Sequence, residues 1–372
     1  MSIGARRNAP CWCGSGDKFK KCHLNRERES ALPPEAVIRE ARKAAAFDTC
    51  LHPQANDSKC SRIIDAHTIQ RARTLEQLVD TSNHVLTFYP YKPDDDGVSP
   101  KLHRRGWREA STFRGFCAIH DDLTFATAEK DSSAVTPESA FALSYRALCH
   151  ELYQKTRAQR AERRIQALAD RGLPLCAQQT VQHGYAVRAA GRQKAITQLL
   201  HLKGRADAEL LSGDQASWRF LAVLFTGPLC FAAAGTTTPT RAFAGNDALQ
   251  ILHDPLKMLE HLCVSVVSFS EQRVSVVFGY RSEHKAPQRL VESLLSQPQN
   301  LLGTFIAQYV FAHLENVYFS ASWWSSLSAS AHRQFRGLAV NANPYYDFPS
   351  YLHDQLVPWK FESLERFNGR GA

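Results

Sequence analysis

The sequence lacks an apolar run of the length that a membrane-spanning helix needs, which is about 20 residues. The nearest candidate, residues 220–231, is short and is interrupted by Gly227 and Pro228. Residues 1–10 contain no apolar core of the kind found in secretory signal peptides. These absences predict a cytoplasmic protein without a membrane partner. In that compartment the ten cysteines are expected to be metal ligands and buried thiols rather than disulfides.

The sequence also lacks the short motifs that mark common nucleotide and hydrolase sites. It contains no Walker loop, no Rossmann glycine fingerprint, no Gly-x-Ser-x-Gly and no His-Glu-x-x-His. The C-terminal part of the chain therefore offers no recognisable catalytic chemistry.

The length and net charge of the chain limit the number of domains and the kind of partner. A chain of 372 residues, 44% of them hydrophobic, can bury a large core and is long enough for two or three domains. Lys and Arg outnumber Asp and Glu by 45 to 36, which gives a formal net charge of +9. This excess favours an acidic partner such as nucleic acid.

Four soft metal ligands lie close together near the start of the chain. They are Cys11, Cys13, Cys22 and His23. Three thiolates and one imidazole form a ligand set that tetrahedral Zn²⁺ accepts. The Gly-Ser-Gly run at residues 14–16 supplies the sharp turn that this spacing requires, because glycine tolerates positive φ. So short a peptide has no core of its own, and zinc must supply much of its folding energy. A redox or disulfide pair is the alternative.

At these residues the chain resembles the SEC-C zinc motif, known from the C-terminal tail of the SecA translocation ATPase and from many bacterial proteins. The resemblance covers the Pro-Cys-x-Cys-Gly-Ser-Gly core, the run Lys18, Phe19, Lys20, Lys21, and the closing Cys-His pair. It implies a zinc-binding bacterial protein with a surface recognition role, and it does not imply a translocase. The run at residues 18–21 would contact an acidic partner, which could be nucleic acid, a ribosome or a protein surface.

A second Cys₃His set is spread over residues 47–130. Its members are Cys50, Cys60, Cys117 and His120. An early pair and a late pair joined by a hairpin are typical of a treble-clef zinc fold, and the Cys-x-x-His spacing suits one helical turn. The sequence therefore predicts a second zinc ion. The alternative is that some of these cysteines are ordinary buried thiols.

The same block loosely resembles the HNH nuclease fold, which combines a treble clef with a catalytic ββα unit. The resemblance implies that His67 would activate water, that Asn83 would orient it, and that Asp121 would occupy the position of a metal-binding histidine. Mg²⁺ or Mn²⁺ would then be a further cofactor. An HNH-like endonuclease acting in defence against phage or other foreign DNA is therefore the alternative function.

Two departures weaken the nuclease interpretation. Ala66 and Asp121 stand where the family has metal ligands, and a divalent ion needs several oxygen or nitrogen ligands to polarise phosphate. Asp65 or Asp122 would have to compensate. The competing interpretation is that His67 is a structural histidine in a non-catalytic zinc module.

The predicted fold class is α+β, with two zinc modules, a helical hairpin and a C-terminal mixed domain. The predicted segments are the N-terminal knuckle (residues 1–25), a linker and helix (26–46), a treble-clef-like module (47–130), a basic helical hairpin (131–212) and an α+β domain (213–372).

Local patterns add detail to these segments. Thr136, Pro137 and Glu138 predict the start of a long helix, whose second half is rich in arginine and could face phosphates or solvent. In the last segment the polar run 236–240 predicts a loop, and residues 317–324 predict a strand.

Overall fold

The computed structural model describes residues 7–55, 60–93, 100–130, 134–243, 248–252, 257–340 and 354–371. Within these residues the chain has a mixed α/β structure with nine α-helices and two antiparallel sheets, as the predicted fold class requires. It divides into two compact units. Unit 1 comprises Met1–Asp48 and Leu152–Leu202, and unit 2 comprises Thr49–Glu151 and Lys203–Ala372.

The helices have the following bounds. They are α1 (Phe19–Cys22), α2 (Pro34–Ala45), α3 (Ala118–Lys130), α4 (Pro137–Gln166), α5 (Leu175–Ser212), α6 (Lys285–Leu295), α7 (Leu302–His313), α8 (Ala321–Ser326) and α9 (Ala329–Val340). Short 3₁₀ helices occur at Arg26–Arg28, Leu75–Leu78 and Gln299–Leu301. Among the described helices, none combines the length and apolar character that crossing a membrane would demand.

The strands form two separate sheets. They are β1 (Ile63–His67), β2 (His84–Pro93), β3 (Pro100–Gly106), β4 (Thr112–Cys117), β5 (Trp218–Thr226), β6 (Phe231–Thr237), β7 (Leu262–Ser270), β8 (Arg273–Arg281), β9 (Val317–Phe319) and β10 (Lys360–Asn368). Strands β1 and β4 make a two-stranded sheet, and the others make an eight-stranded sheet in the order β10-β5-β8-β7-β6-β9-β2-β3.

In unit 1 the long helices α4 and α5 run antiparallel. Gln159 Nε2 donates to Gln193 Oε1 at 2.8 Å, and further along Gln166 Nε2 donates to Gln182 Oε1 at 3.0 Å. The partner residue number rises on one helix as it falls on the other, which is the pattern of a helical hairpin. The helical hairpin of the predicted fold class is therefore present.

Helix α2 packs along α4 within the same unit. The rings of Phe47 and Tyr153 stack with centroids 4.6 Å apart, and the Tyr153 hydroxyl donates to the Phe47 carbonyl oxygen at 3.0 Å. Arg164 Nη2 donates to Glu40 Oε2 at 2.9 Å. Unit 1 thus consists of the knuckle, α2 and the distal part of the hairpin.

In unit 2 both faces of the large sheet are covered, and alternate residues of β5 point to opposite faces. Leu221, Val223 and Phe225 belong to the main core, which includes α6 and α7. Trp218 lies on the other face, where its ring meets that of Phe141 from α4 at 5.6 Å between centroids. Burial on both faces explains why the central strands are almost continuously apolar although the sheet is antiparallel.

The predicted loop at residues 236–240 is wrong in its first part. Thr236 and Thr237 are buried residues of β6. The Thr237 hydroxyl lies 2.8 Å from the Tyr309 hydroxyl, and that of Thr236 lies 3.5 Å from Cys263 Sγ. Polar side chains are tolerated in the core because each hydroxyl has a partner there.

The predicted strand at residues 317–324 is also too long. Only Val317–Phe319 is extended, as β9, and Ser320 then caps α8 by accepting a hydrogen bond from Trp323 N at 3.1 Å. A serine at the N-cap satisfies an unpaired helical N–H, and this local bond outweighs the strand preference of the following aromatic residues.

Truncation of Phe231 should test the main core. Phe231 is fully buried in β6 and packs on Phe311, Trp323 and Trp359. Phe231→Ala is expected to lower the free energy of unfolding by about 3–5 kcal/mol, because it removes apolar contacts and leaves a cavity. Urea denaturation of the zinc-loaded protein measures this change. The control Leu364→Ala, at a side chain on the sheet edge that is 41% exposed, should cost about 0.5 kcal/mol; equal costs for both variants would contradict the assignment of the core.

Candidate metal centres

The four predicted ligands of the knuckle converge. One ligand atom from each of the four residues lies within 4.8 Å of every other. His23 Nδ1 is 3.1 Å from both Cys11 Sγ and Cys22 Sγ, and Cys13 Sγ is 3.5 Å from Cys22 Sγ. Tetrahedral zinc with Zn–S bonds of about 2.3 Å places its ligand atoms about 3.5–3.8 Å apart. The two Nδ1–Sγ distances are somewhat shorter than this and the Sγ–Sγ distance agrees with it, so the four residues are close enough together to hold a zinc ion.

Backbone geometry brings these ligands together. Gly14 and Gly16 have φ values of +79° and +82°, which lie in the left-handed region that glycine reaches without a Cβ clash. The turn closes when Cys11 N donates to the Asp17 carbonyl oxygen at 2.7 Å. Helix α1 then carries Cys22 to the cluster, with His23 directly after it.

The other nitrogen of the ligand His23 meets a buried carboxylate. His23 Nε2 lies 2.8 Å from Asp170 Oδ2, and Asp170 is fully buried in the turn of the helical hairpin. A carboxylate behind a metal-binding histidine fixes the ring orientation and the tautomer, leaving the lone pair of Nδ1 for the metal. Asp170 was not predicted, since nothing in the local sequence distinguishes it from any other aspartate.

Further donors complete the surroundings of Asp170. Arg26 Nε donates to Asp170 Oδ1 at 2.6 Å, and Gln182 Nε2 donates to Oδ2 at 2.7 Å. Burial raises the pKa of Asp170, but the hydrogen bonds from His23, Gln182 and Arg26 outweigh it and hold the pKa below its usual value. The Arg26 carbonyl also accepts from Gly172 N at 3.1 Å. His23 and Arg26 are thus attached to the hairpin turn by two bonds to one carboxylate and by one backbone bond.

The second predicted set also converges, in unit 2. Again one ligand atom from each residue lies within 4.8 Å of every other, here for Cys50, Cys60, Cys117 and His120. His120 Nδ1 lies 3.3 Å from Cys117 Sγ and 3.5 Å from Cys50 Sγ. This set can therefore hold a second zinc ion with the same chemistry.

The small sheet positions these ligands. Cys50 lies in a segment that pairs with β4, because Leu51 N donates to the Gly115 carbonyl oxygen at 2.8 Å. Cys117 ends β4, and His120 lies in the first turn of α3. The ring of His52 stacks on that of His120 with centroids 4.2 Å apart. The assignment of this module to a treble clef stays a prediction.

Within each cluster the thiols differ in acidity, with the pKa of Cys13 lowered in the first cluster and that of Cys117 lowered in the second. Burial raises the pKa of Cys11 to about 12. Burial also opposes ionisation of Cys117, but hydrogen bonds from the backbone N–H groups of His120 and Ser61 outweigh it and lower its pKa to about 6. A metal ligand must be a thiolate, so zinc binding has to displace a proton from Cys11 against its raised pKa, whereas the lowered pKa of Cys117 favours the thiolate.

The predicted partner-binding residues lie beside the first cluster. Lys18, Lys20 and Lys21 are exposed, whereas Phe19 is only half-exposed. Trp12 is 38% exposed and packs on His23 with ring centroids 4.6 Å apart. It was not among the predicted partner-binding residues. An aromatic residue between two ligand cysteines was the available signal for it.

The three predicted nuclease residues occupy ordinary structural positions. His67 ends β1, and its Nε2 lies 3.1 Å from the Arg108 carbonyl oxygen. Asn83 has a φ of +61° in the turn before β2. Asp121 lies in the first turn of α3, 3.7 Å from the Arg146 guanidinium. Over the described ranges, only the two Cys₃His clusters bring three or more Cys, His, Asp or Glu ligands to metal-binding distance, so these catalytic roles stay a prediction.

Comparison with known proteins supports the first site. Residues 7–25 match the family model of the SEC-C motif, which confirms the resemblance seen in the sequence. The chain is also 32% identical over 100 residues to a methionine aminopeptidase of Chlamydia pneumoniae, a region that covers 27% of this chain and 30% of that enzyme. The chain thus spans less than a third of that relative. No solved structure matches significantly. The SEC-C match and the two clusters together support a zinc-binding protein.

Zinc content should distinguish the two sites. The purified protein is expected to contain two zinc ions per chain, one for each cluster. Cys11→Ser should reduce the content to one ion by disabling the first cluster, and Cys117→Ser should do so by disabling the second. Elemental analysis after gel filtration measures this content. A wild-type protein with one ion, unaffected by Cys117→Ser, would show that the second cluster holds no zinc.

Asp170→Asn should weaken zinc binding at the first cluster about 10- to 100-fold, the range found when such supporting carboxylates are removed. The amide retains one acceptor oxygen for His23, Arg26 and Gln182 and loses the negative charge. Competition with a chromophoric chelator measures the affinity, and the second cluster serves as an internal reference. Asp214→Asn, at an exposed carboxylate of unit 2, is the matched control. Equal affinities for Asp170→Asn and the wild type would refute this role of Asp170.

Proposed function

We propose that the N-terminal knuckle is a zinc-stabilised recognition element that binds an acidic partner through Lys18, Lys20 and Lys21. The observation that carries this proposal is that these lysines are exposed and their charges are not neutralised within the described structure. All three are exposed, and in the described residues none of them forms an ion pair. Their charge is therefore available to a partner instead of being neutralised within the protein.

The ligands on either side of the lysines support the same role. Cys13 precedes Lys18 and Cys22 follows Lys21, so a metal held by these cysteines restrains the backbone that carries the lysines. Restraining a binding surface in advance lowers the entropy lost on association. The exposed face of the Trp12 ring adds an apolar contact beside the charges.

The partner is defined by its chemistry as an anionic surface. A lysine ammonium acts as a compact point charge with three donors and does not select one acceptor geometry. Nucleic acid, ribosomal surfaces and acidic protein surfaces all meet this description. The knuckle alone therefore supports an acidic partner without choosing among them.

One observation favours the nuclease alternative. Strand β1 pairs with β4, α3 follows β4 directly, and His67 lies at the end of β1. The small sheet and α3 thus make a ββα arrangement, although β2 and β3 lie between β1 and β4 in the chain. The Nε2 atom of His67 is, however, within hydrogen-bonding distance of a backbone carbonyl. We therefore keep HNH-like cleavage dependent on Mg²⁺ or Mn²⁺ as the second candidate and include it in the test.

The test replaces the three knuckle lysines. We expect a triple variant to bind any acidic probe that the wild type binds at least about tenfold more weakly, because three favourable charges are lost. The variant combines Lys18→Gln, Lys20→Gln and Lys21→Gln. The probes are a 20-nucleotide single strand followed by fluorescence anisotropy, ribosomes followed by co-sedimentation, and polyglutamate followed by calorimetry. The control combines Lys101→Gln, Lys285→Gln and Lys360→Gln, which removes the same charge from exposed lysines of unit 2.

Equal weakening in both triple variants, or no binding of the wild type to any probe, would contradict the proposal. Cys11→Ser should reproduce the loss caused by the knuckle variant, since zinc holds the lysines in place. Cleavage of the oligonucleotide with Mg²⁺ or Mn²⁺ that His67→Ala abolishes, at unchanged zinc content, would establish the nuclease instead.

A further inference from the structure

Positive charge is concentrated in one of the two units. In unit 1 Lys and Arg outnumber Asp and Glu by 19 to 8, which gives a net charge of +11. Unit 2 holds the remaining 26 basic and 28 acidic residues, which gives −2. The excess of +9 over the whole chain therefore arises entirely from unit 1, and the knuckle lysines account for only three of its cations.

The hairpin part of unit 1 has almost no negative charge left to balance these cations. Between residues 152 and 202 the sequence contains two acidic residues, Glu162 and Asp170. Glu162 forms a bidentate pair with Arg192 at 2.7 and 2.9 Å. Asp170 is occupied by Arg26 and by the ligand His23. Both carboxylates are thus committed to partners within the unit.

Several hairpin arginines are exposed and have no acidic partner in the described structure. Arg157 and Arg163 on α4 and Arg188 on α5 take part in no ion pair there. The Arg188 guanidinium lies over the ring of Tyr185, 4.5 Å from its centroid. Arg160 is bound to the Ala44 carbonyl oxygen instead of a carboxylate. The hairpin therefore adds uncompensated guanidinium groups to the charge of the knuckle.

The identity of these groups favours phosphate over carboxylate surfaces on a protein. Guanidinium groups bind phosphate oxygens in a bidentate manner, and they predominate over lysine in the hairpin. A nucleic acid presents a regular, dense row of phosphates, and binding releases its condensed counterions. The exposed Trp12 ring next to the knuckle lysines offers a stacking surface for a base. An acidic protein patch offers neither a regular row of phosphates to the guanidinium groups nor a base to the Trp12 ring.

We propose that unit 1 as a whole binds nucleic acid, with Arg157, Arg163 and Arg188 of the hairpin contacting phosphates together with the lysines of the knuckle. This proposal rests on the proposed function of the knuckle, and it adds the partner class and a second part of the surface. The contacts are to the backbone, so binding is expected to be independent of base sequence.

The full-length, zinc-loaded protein is titrated against a fluorescein-labelled 20-nucleotide single strand, and against the matching duplex, at several salt concentrations. The hairpin variant combines Arg157→Gln, Arg163→Gln and Arg188→Gln. It should bind the oligonucleotide at least about tenfold more weakly at about 50 mM salt, and the magnitude of the slope of log K against log[salt] should fall by about two to three. The control combines Arg108→Gln, Arg333→Gln and Arg366→Gln, three exposed arginines of unit 2, and should change neither quantity. Circular dichroism and zinc content confirm that each variant is folded.

The outcomes separate this proposal from that for the knuckle. If the knuckle variant loses oligonucleotide binding and the hairpin variant does not, the function of the knuckle stands and the inference about the hairpin is wrong. If the wild type binds polyglutamate or an acidic protein but no oligonucleotide, the partner class is wrong. If it binds none of the probes, both proposals fail.

Discussion

The buried carboxylate of Asp170 is the group on which the arrangement of unit 1 depends. A carboxylate removed from water is stable only when charged and polar partners replace its hydration. Here those partners are His23, Arg26 and Gln182. Because His23 directs its other nitrogen to the cysteine thiols, one imidazole serves both the metal cluster and the helical hairpin. The orientation of a metal ligand and the attachment of the knuckle to the hairpin turn are therefore set by the same interaction.

The two units differ in how far their cationic side chains are neutralised by acidic ones. In unit 2 the guanidinium of Arg281 is almost fully buried, and Glu209 neutralises it at 2.8 and 3.0 Å, while the apolar core of the large sheet supplies the cohesion. In unit 1 cations remain exposed without counter-charges, although their mutual repulsion opposes the compact state. Such a surface does not stabilise the fold. It is consistent with the polyanionic partner proposed for unit 1, which would supply the missing negative charge.

The sequence was sufficient to predict which cysteines and histidines converge, but not what surrounds them. Cys11 to His23 lie within one short segment, and spacing alone indicated a common ion. Asp170 is separated from His23 by 147 residues, and only the packing of the knuckle against the hairpin turn brings the two together. The same limitation applies to Thr236 and Thr237, because their polarity predicted a loop while their partners in the core, Cys263 and Tyr309, come from elements distant in sequence. Local chemistry is readable from the chain, whereas tertiary partners are not.

In the proposed function recognition depends on a metal, and the small size of the knuckle gives the physical reason. Its described residues bury little more than Cys11 and His23, so no apolar core can hold the lysines in a fixed arrangement. Ligands placed before Lys18 and after Lys21 restrain the intervening backbone without covering the side chains. A small core would have required apolar residues at the positions that now carry charge. Metal coordination thus lets a very short segment be both ordered and almost entirely exposed, which a charged recognition surface requires.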